Sequence, residues 1–136
     1  MSKLRDYLSN KTNVLVGIKE TEVIGCAYLD NLRNGVAEVS IFLKRHSIHP
    51  EETVKVLKRA LFDYFKTHNL KFIYAIARKE NRASIRLLKR LGFSGFQHLP
   101  KYKQVNNILT DYLLCGLLRE RSLYENISQD HYYTSR

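Results

Sequence analysis

The chain has 136 residues and a mass of 16.0 kDa, enough for one domain with a proper hydrophobic core. Hydrophobic residues at 44% and charged residues at 26% exclude wholesale disorder, and two cysteines are too few for a disulfide scaffold or a four-cysteine zinc site. The excess of 23 Lys and Arg over 13 Asp and Glu leaves a net charge of +10, which attracts a polyanion or simply solvates one basic face; composition does not choose.

Residues 13–20 read as a strand, and Val23–Leu29 as its hairpin partner. The Asn34-Gly35 turn leads into a third strand over Val36–Leu43. The texture changes at Pro50, where Val54, Leu57, Ala60, Leu61, Tyr64 and Phe65 recur at helical spacing. Pro50 suits a first helical position, and Glu51 and Glu52 suit the positive end of its dipole. Phe72–Ala77 lacks alternation, which predicts a central strand covered on both faces. A second helix carries signals at both ends, Asn81 as N-cap and Gly92 just past its last turn. Two strands, about 95–104 and 108–117, flank an Asn106-Asn107 turn. The order βββ-α-β-α-β-β predicts a mixed α/β (α+β) fold, a mostly antiparallel sheet flanked by helices. The expected organisation is a single domain over 1–120 and a polar tail over 121–136.

The segment Asn81–Phe93 resembles the N-x-x-S-x-x-L-L-x-K-x-G-F helix of the ribosomal-protein alanine/serine N-acetyltransferase branch of the GNAT superfamily. Ala37–Leu43 is similar to that superfamily's A-E-[IV]-x-x-x-[LI] fourth strand, and Asp111–Glu120 to the branch's closing strand. The resemblance runs from about residue 13 to 120.

It implies acetyl transfer from acetyl-CoA to a primary amine, a protein N-terminus or a small molecule, by direct attack on the thioester. Such chemistry needs a base for the amine, polarisation of the carbonyl and a proton for the leaving thiolate. Glu38 stands where some relatives carry a general base, against the reading of an ordinary solvent-facing strand glutamate. Phe42, Leu43 and Lys44 map to the strand that offers backbone groups to pantetheine, and Asn81 faces the same arm. Many superfamily members place a tyrosine acid where this chain has Leu88, so Ser84 is the substitute the branch suggests, unless it only caps its own helix.

Three features depart from the pattern. The R/Q-x-x-G-x-G/A pyrophosphate loop maps to Ile48–Thr53, where the glycines are gone, Pro50 removes an amide and Glu51 and Glu52 replace neutral positions. His49, Thr53 and the nearby Arg86 are the expected residual cofactor contacts. Only about twelve residues precede the first hairpin, so half of the usual acceptor wall is missing, which suggests a fragment, a shortened domain or a homodimer that completes it. Leu88 is the third departure. These support an alternative, a catalytically degenerate GNAT-fold module that binds a protein or RNA partner. Arg78, Lys79, Arg82, Arg86, Lys89 and Arg90 form a basic ridge, but no nucleic-acid motif accompanies it, so nucleic acid is not favoured. His46-x-x-His49 lacks a third ligand and predicts no metal, and Cys26 and Cys115 read as core. With no apolar secretory segment at Met1–Asp6 and no run near the roughly 20 residues of a membrane span, the expected setting is the cytoplasm, away from membranes.

Overall fold

The computed structural model describes residues 12–19, 22–43 and 50–122. The residues before the first hairpin, and Lys44 and His49, lie outside the described residues. The elements run β1 (Thr12–Lys19), β2 (Glu22–Arg33), β3 (Val36–Leu43), α1 (Pro50–Thr67), β4 (Phe72–Arg78), α2 (Arg82–Arg90), β5 (Ser94–Val105) and β6 (Ile108–Leu118). This is the order read from the sequence. One six-stranded sheet results, ordered β1-β2-β3-β4-β6-β5, antiparallel except where β3 meets β4. A parallel pair needs a long crossover, and α1 supplies it.

The turns carry the chemistry their residues predict. Asn34 and Gly35 have φ of 54° and 80°, and Asn106 and Asn107 have 52° and 66°, so both hairpins close on two residues of positive φ. The Gly35 carbonyl also accepts hydrogen bonds from the amides of Lys71 and Phe72 at 2.7 and 3.2 Å, which sets β4 beside β3. Helix α2 ends in a Schellman arrangement: the Gly92 amide donates to Lys89 O, the Phe93 amide donates to Leu88 O, and Gly92 has a φ of 101°.

Alternation along β3 and β4 sends Ala37, Val39, Ile73 and Ala75 to the helix-covered face, where they meet Leu57, Leu61 and Phe65 of α1 and Leu88 of α2. The Tyr64 hydroxyl reaches across this core and donates to Ala27 O at 2.9 Å, so its burial leaves no orphan donor. The other face of β4 differs from the expectation of full cover: Phe72, Tyr74 and Ile76 are only half-buried. Strand β2 runs on through Asp30–Arg33, beyond the Leu29 end read from the sequence. A register break between Asp30 and Arg33, with Asn31 at a φ of 54°, admits these strand-poor residues as a bulge. At the other end, residues 119–122 are helical and Ser122 is buried, so the start of the expected polar tail packs on the domain. Residues 123–136 lie outside the described part.

Candidate functional site

Strands β3 and β4 pair over three positions only, Val36 with Phe72, Ala37 with Ile73 and Glu38 with Tyr74. Beyond Glu38, β3 stays bonded to β2 as far as Leu43, and β4 stays bonded to β6 as far as Arg78. Past Glu38, no strand among the described residues pairs with β3 on the side that faces β4. The gap between the strands is a cleft of about 260 Å³, bordered by Ser40, Phe42, Ala77, Asn81, Ser84 and Leu88 among others. A strand edge of this kind is the place where an extended, amide-bearing chain can add itself as a further strand.

The start of α2 aims two polar side chains at this cleft. Asn81 caps the helix: its Oδ1 accepts from the Ser84 amide at 3.2 Å. The capping is thus done by Asn81 and not by Ser84, whose hydroxyl has no hydrogen-bond partner among the described residues. The Asn81 amide nitrogen is equally uncommitted there. Leu88, where a tyrosine acid is common, presents only hydrocarbon to the cleft. Phe42 is half exposed and stacks on Tyr28 with ring centroids 5.7 Å apart, and Leu43 is half-buried at the end of β3.

At the foot of the cleft, where the strands still pair, Glu38 and Tyr74 lie directly opposite each other and both are half-buried. The Asn31 side-chain amide donates to Glu38 Oε1 at 2.9 Å. Burial pushes the Tyr74 hydroxyl above the usual tyrosine range; a hydrogen bond with Asn31 pulls the other way, while Glu38, Tyr102 and Asp30 add to the rise. Neither Asn31 nor Tyr74 stood out in the sequence, because an Asx residue in a strand and a tyrosine in an apolar run carry no motif.

The first turn of α1 departs from its expected role. The Glu51 carboxylate is ion-paired with Arg90 at the end of α2, so one of the two acids at this helix start is already neutralised. Thr53, two residues further along the same turn, is buried at 2% exposure. Arg86 is exposed and forms no ion pair among the described residues. The rest of the basic ridge is also exposed, and Arg78 borders both the cleft and an open groove of about 670 Å³ between the start of α2 and the β5–β6 turn.

Burial raises both thiols, Cys115 to about 12, and Cys115 Sγ donates to Ala75 O at 3.7 Å, so both sulfurs behave as core atoms. Among the described residues, no three His, Cys, Asp or Glu side chains gather to hold a metal, and no helix is long and apolar enough to cross a membrane.

A mixed sheet that splits between two parallel strands, with a capped helix start over the split, is an acyltransferase architecture. Residues 2–94 match the model of the acetyltransferase (GNAT) domain, and the chain belongs to that family. Solved structures agree on the fold. A chimera of the Vibrio cholerae spermidine N-acetyltransferase SpeG with hSSAT superposes with a TM-score of 0.72 at 22% identity, over 89% of this chain and 74% of that one. A GNAT-family acetyltransferase from Bacillus anthracis gives 0.74 at 18% identity, over 88% and 75%. The ribosomal-protein-S5-alanine acetyltransferase of Vibrio fischeri gives 0.65 at 22% identity, and this chain covers 57% of its length with 74% of its own. Comparison with curated protein sequences yields no match.

Proposed function

We propose that this chain transfers an acetyl group from acetyl-CoA to a primary amine, on a protein N-terminus or a small molecule, by direct attack on the thioester. The observation that carries the reading is the parting of β3 from β4 immediately after Glu38 and Tyr74, over a cleft bordered by Asn81 and Ser84. The edge of β3 beyond its pairing with β4 and the Asn81 amide would hold the pantetheine arm. Arg86, with Arg90 once released from Glu51, would meet the phosphates, together with Lys44 and His49.

Glu38 would take the proton that the acceptor ammonium loses, directly or through one water, which frees the nitrogen lone pair to attack. As the C–N bond forms and the C–S bond breaks, the Ser84 hydroxyl would pass a proton to the departing thiolate and regain one from the attacking nitrogen through solvent. Backbone amides of β3 would steady the negative charge on the former carbonyl oxygen. A cytoplasmic setting and a homodimer belong to the same reading.

Leu88 favours a second reading, a GNAT-fold module that has lost catalysis and binds a partner, protein or RNA, instead. Calorimetric titration with acetyl-CoA, with dephospho-CoA and ATP as controls, separates the two. Micromolar binding that prefers acetyl-CoA, followed by acetylation of an amine that Glu38→Gln abolishes, is expected of the enzyme. No binding at millimolar ligand would remove it in favour of the module.

A further inference from the structure

The Asn31 side chain meets Glu38 across the β2–β3 pair, and a backbone irregularity puts it there. Regular pairing would place β2 residues strictly opposite β3 as far as the turn; instead the register is Asp30 with Glu38 and then Arg33 with Val36. The one extra residue is absorbed where Asn31 takes a φ of 54°, a conformation that asparagine and glycine tolerate best. Bulges of this kind re-aim a side chain, and they recur beside active sites. Here the re-aimed side chain is a carboxamide, whose N–H donates to the Glu38 carboxylate.

We propose that Asn31 is a positioning residue for acetyl transfer: the bulge turns its carboxamide onto Glu38, so that Glu38 is held where β3 and β4 part, with one oxygen engaged and the other left for the acceptor amine. The Asn31 Nδ2 to Glu38 Oε1 distance is 2.9 Å, and the register sets Tyr74 directly across from Glu38 on the neighbouring strand. Asp30 supplies one more contact, for its Oδ1 accepts from the Asn31 backbone amide at 2.9 Å and ties down the bulge itself. A glutamate at a strand position without these ties samples several rotamers. With them, fewer conformers compete with the one that faces the cleft. This inference rests on the reading of Glu38 as the base.

The test uses the full chain and variants of Asn31 and Glu38. Asn31→Gly keeps the positive φ and deletes only the carboxamide, whereas Asn31→Asp keeps size and backbone preference but has no donor for Glu38. Both should lower kcat about tenfold or more, the range expected for a lost hydrogen bond to a charged group, with KM for acetyl-CoA changed less than twofold. In a Glu38→Gln background, Asn31→Gly should cost little more, since its effect passes through the carboxylate. If Glu38→Gln leaves kcat intact, the base reading falls and this inference with it. If Glu38→Gln strongly lowers but does not abolish turnover while Asn31→Gly changes kcat less than twofold, or costs the same factor in both backgrounds, the base reading stands and the positioning role is overturned. A readout independent of turnover covers a Glu38→Gln variant with no activity left. The Asn31 side-chain amide resonances should shift in Glu38→Ala, and unmoved resonances would refute the contact whatever the activity.

Discussion

Replacing Glu51 by glutamine tests how the start of α1 treats a phosphate. In the free protein Glu51 holds Arg90, with side-chain exposures of 79% and 42%. An ion pair that open contributes about 0–1 kcal/mol, so the variant should fold with nearly unchanged stability. Its effect on acetyl-CoA should be larger. A carboxylate about 6 Å from a phosphate costs about 0.7 kcal/mol at water's dielectric and about 2.8 kcal/mol at an effective value near 20. The exposure of Glu51 favours the lower figure. Freeing Arg90 adds an attraction of about the same size, so the two together approach about 1.4 kcal/mol, a tenfold gain in affinity. Calorimetry at low salt should report that gain, and raising ionic strength to about 0.5 M should shrink it, because exposed charges are then screened. Arg90→Ala should weaken binding and cut the gain from Glu51→Gln to about threefold, the repulsion alone. Unchanged affinity in Glu51→Gln, or the full tenfold gain in Arg90→Ala, would refute this division of the effect.

Three further outcomes follow from packing, capping and titration. A Cβ on Gly116 would sit 2.1 Å from Phe72 Cζ and 2.5 Å from its Cε1; Gly116→Ala should cost about 1–3 kcal/mol in urea denaturation, and Phe72→Leu should recover part of it. Asn81→Ala should lose about 1 kcal/mol with the cap, whereas Asn81→Asp keeps the cap and should weaken only acetyl-CoA binding; equal binding by Asn81→Asp and the native chain would exclude the amide as a cofactor contact. Burial raises the Cys115 thiol from 9.0 to about 12, so the unfolded chain ionises first and the stability present below pH 9.0 is lost as pH climbs toward 12. Urea midpoints at about pH 8 and about pH 10 should therefore fall in the native chain and fall less in Cys115→Ala; equal slopes would contradict the burial of that thiol.

What the sequence determined by itself is whatever its neighbours in the chain can decide. The Asn34-Gly35 and Asn106-Asn107 turns, the Asn81 cap and the Gly92 helix stop each depend on backbone preferences within a few residues, and each stands in the structure as read. The apolar spacing of α1 and the order of elements belong to the same class, as does the GNAT resemblance that rested on them. The candidate site was legible in Glu38, Ser84 and Asn81, but their surroundings were not. Thr53 sits one residue past two exposed glutamates and is nevertheless buried, since the face a helical position shows depends on what packs against it. Glu51 and Arg90 are 39 residues apart and meet only because both helices cover one face of the sheet. Strand β2 outruns its hydrophobic pattern because a bulge, a relation between two strands, accommodates Asp30 and Asn31. Only the tertiary structure could decide that β3 and β4 part after Glu38 and Tyr74, because pairing between distant strands leaves no mark in either strand's own residues.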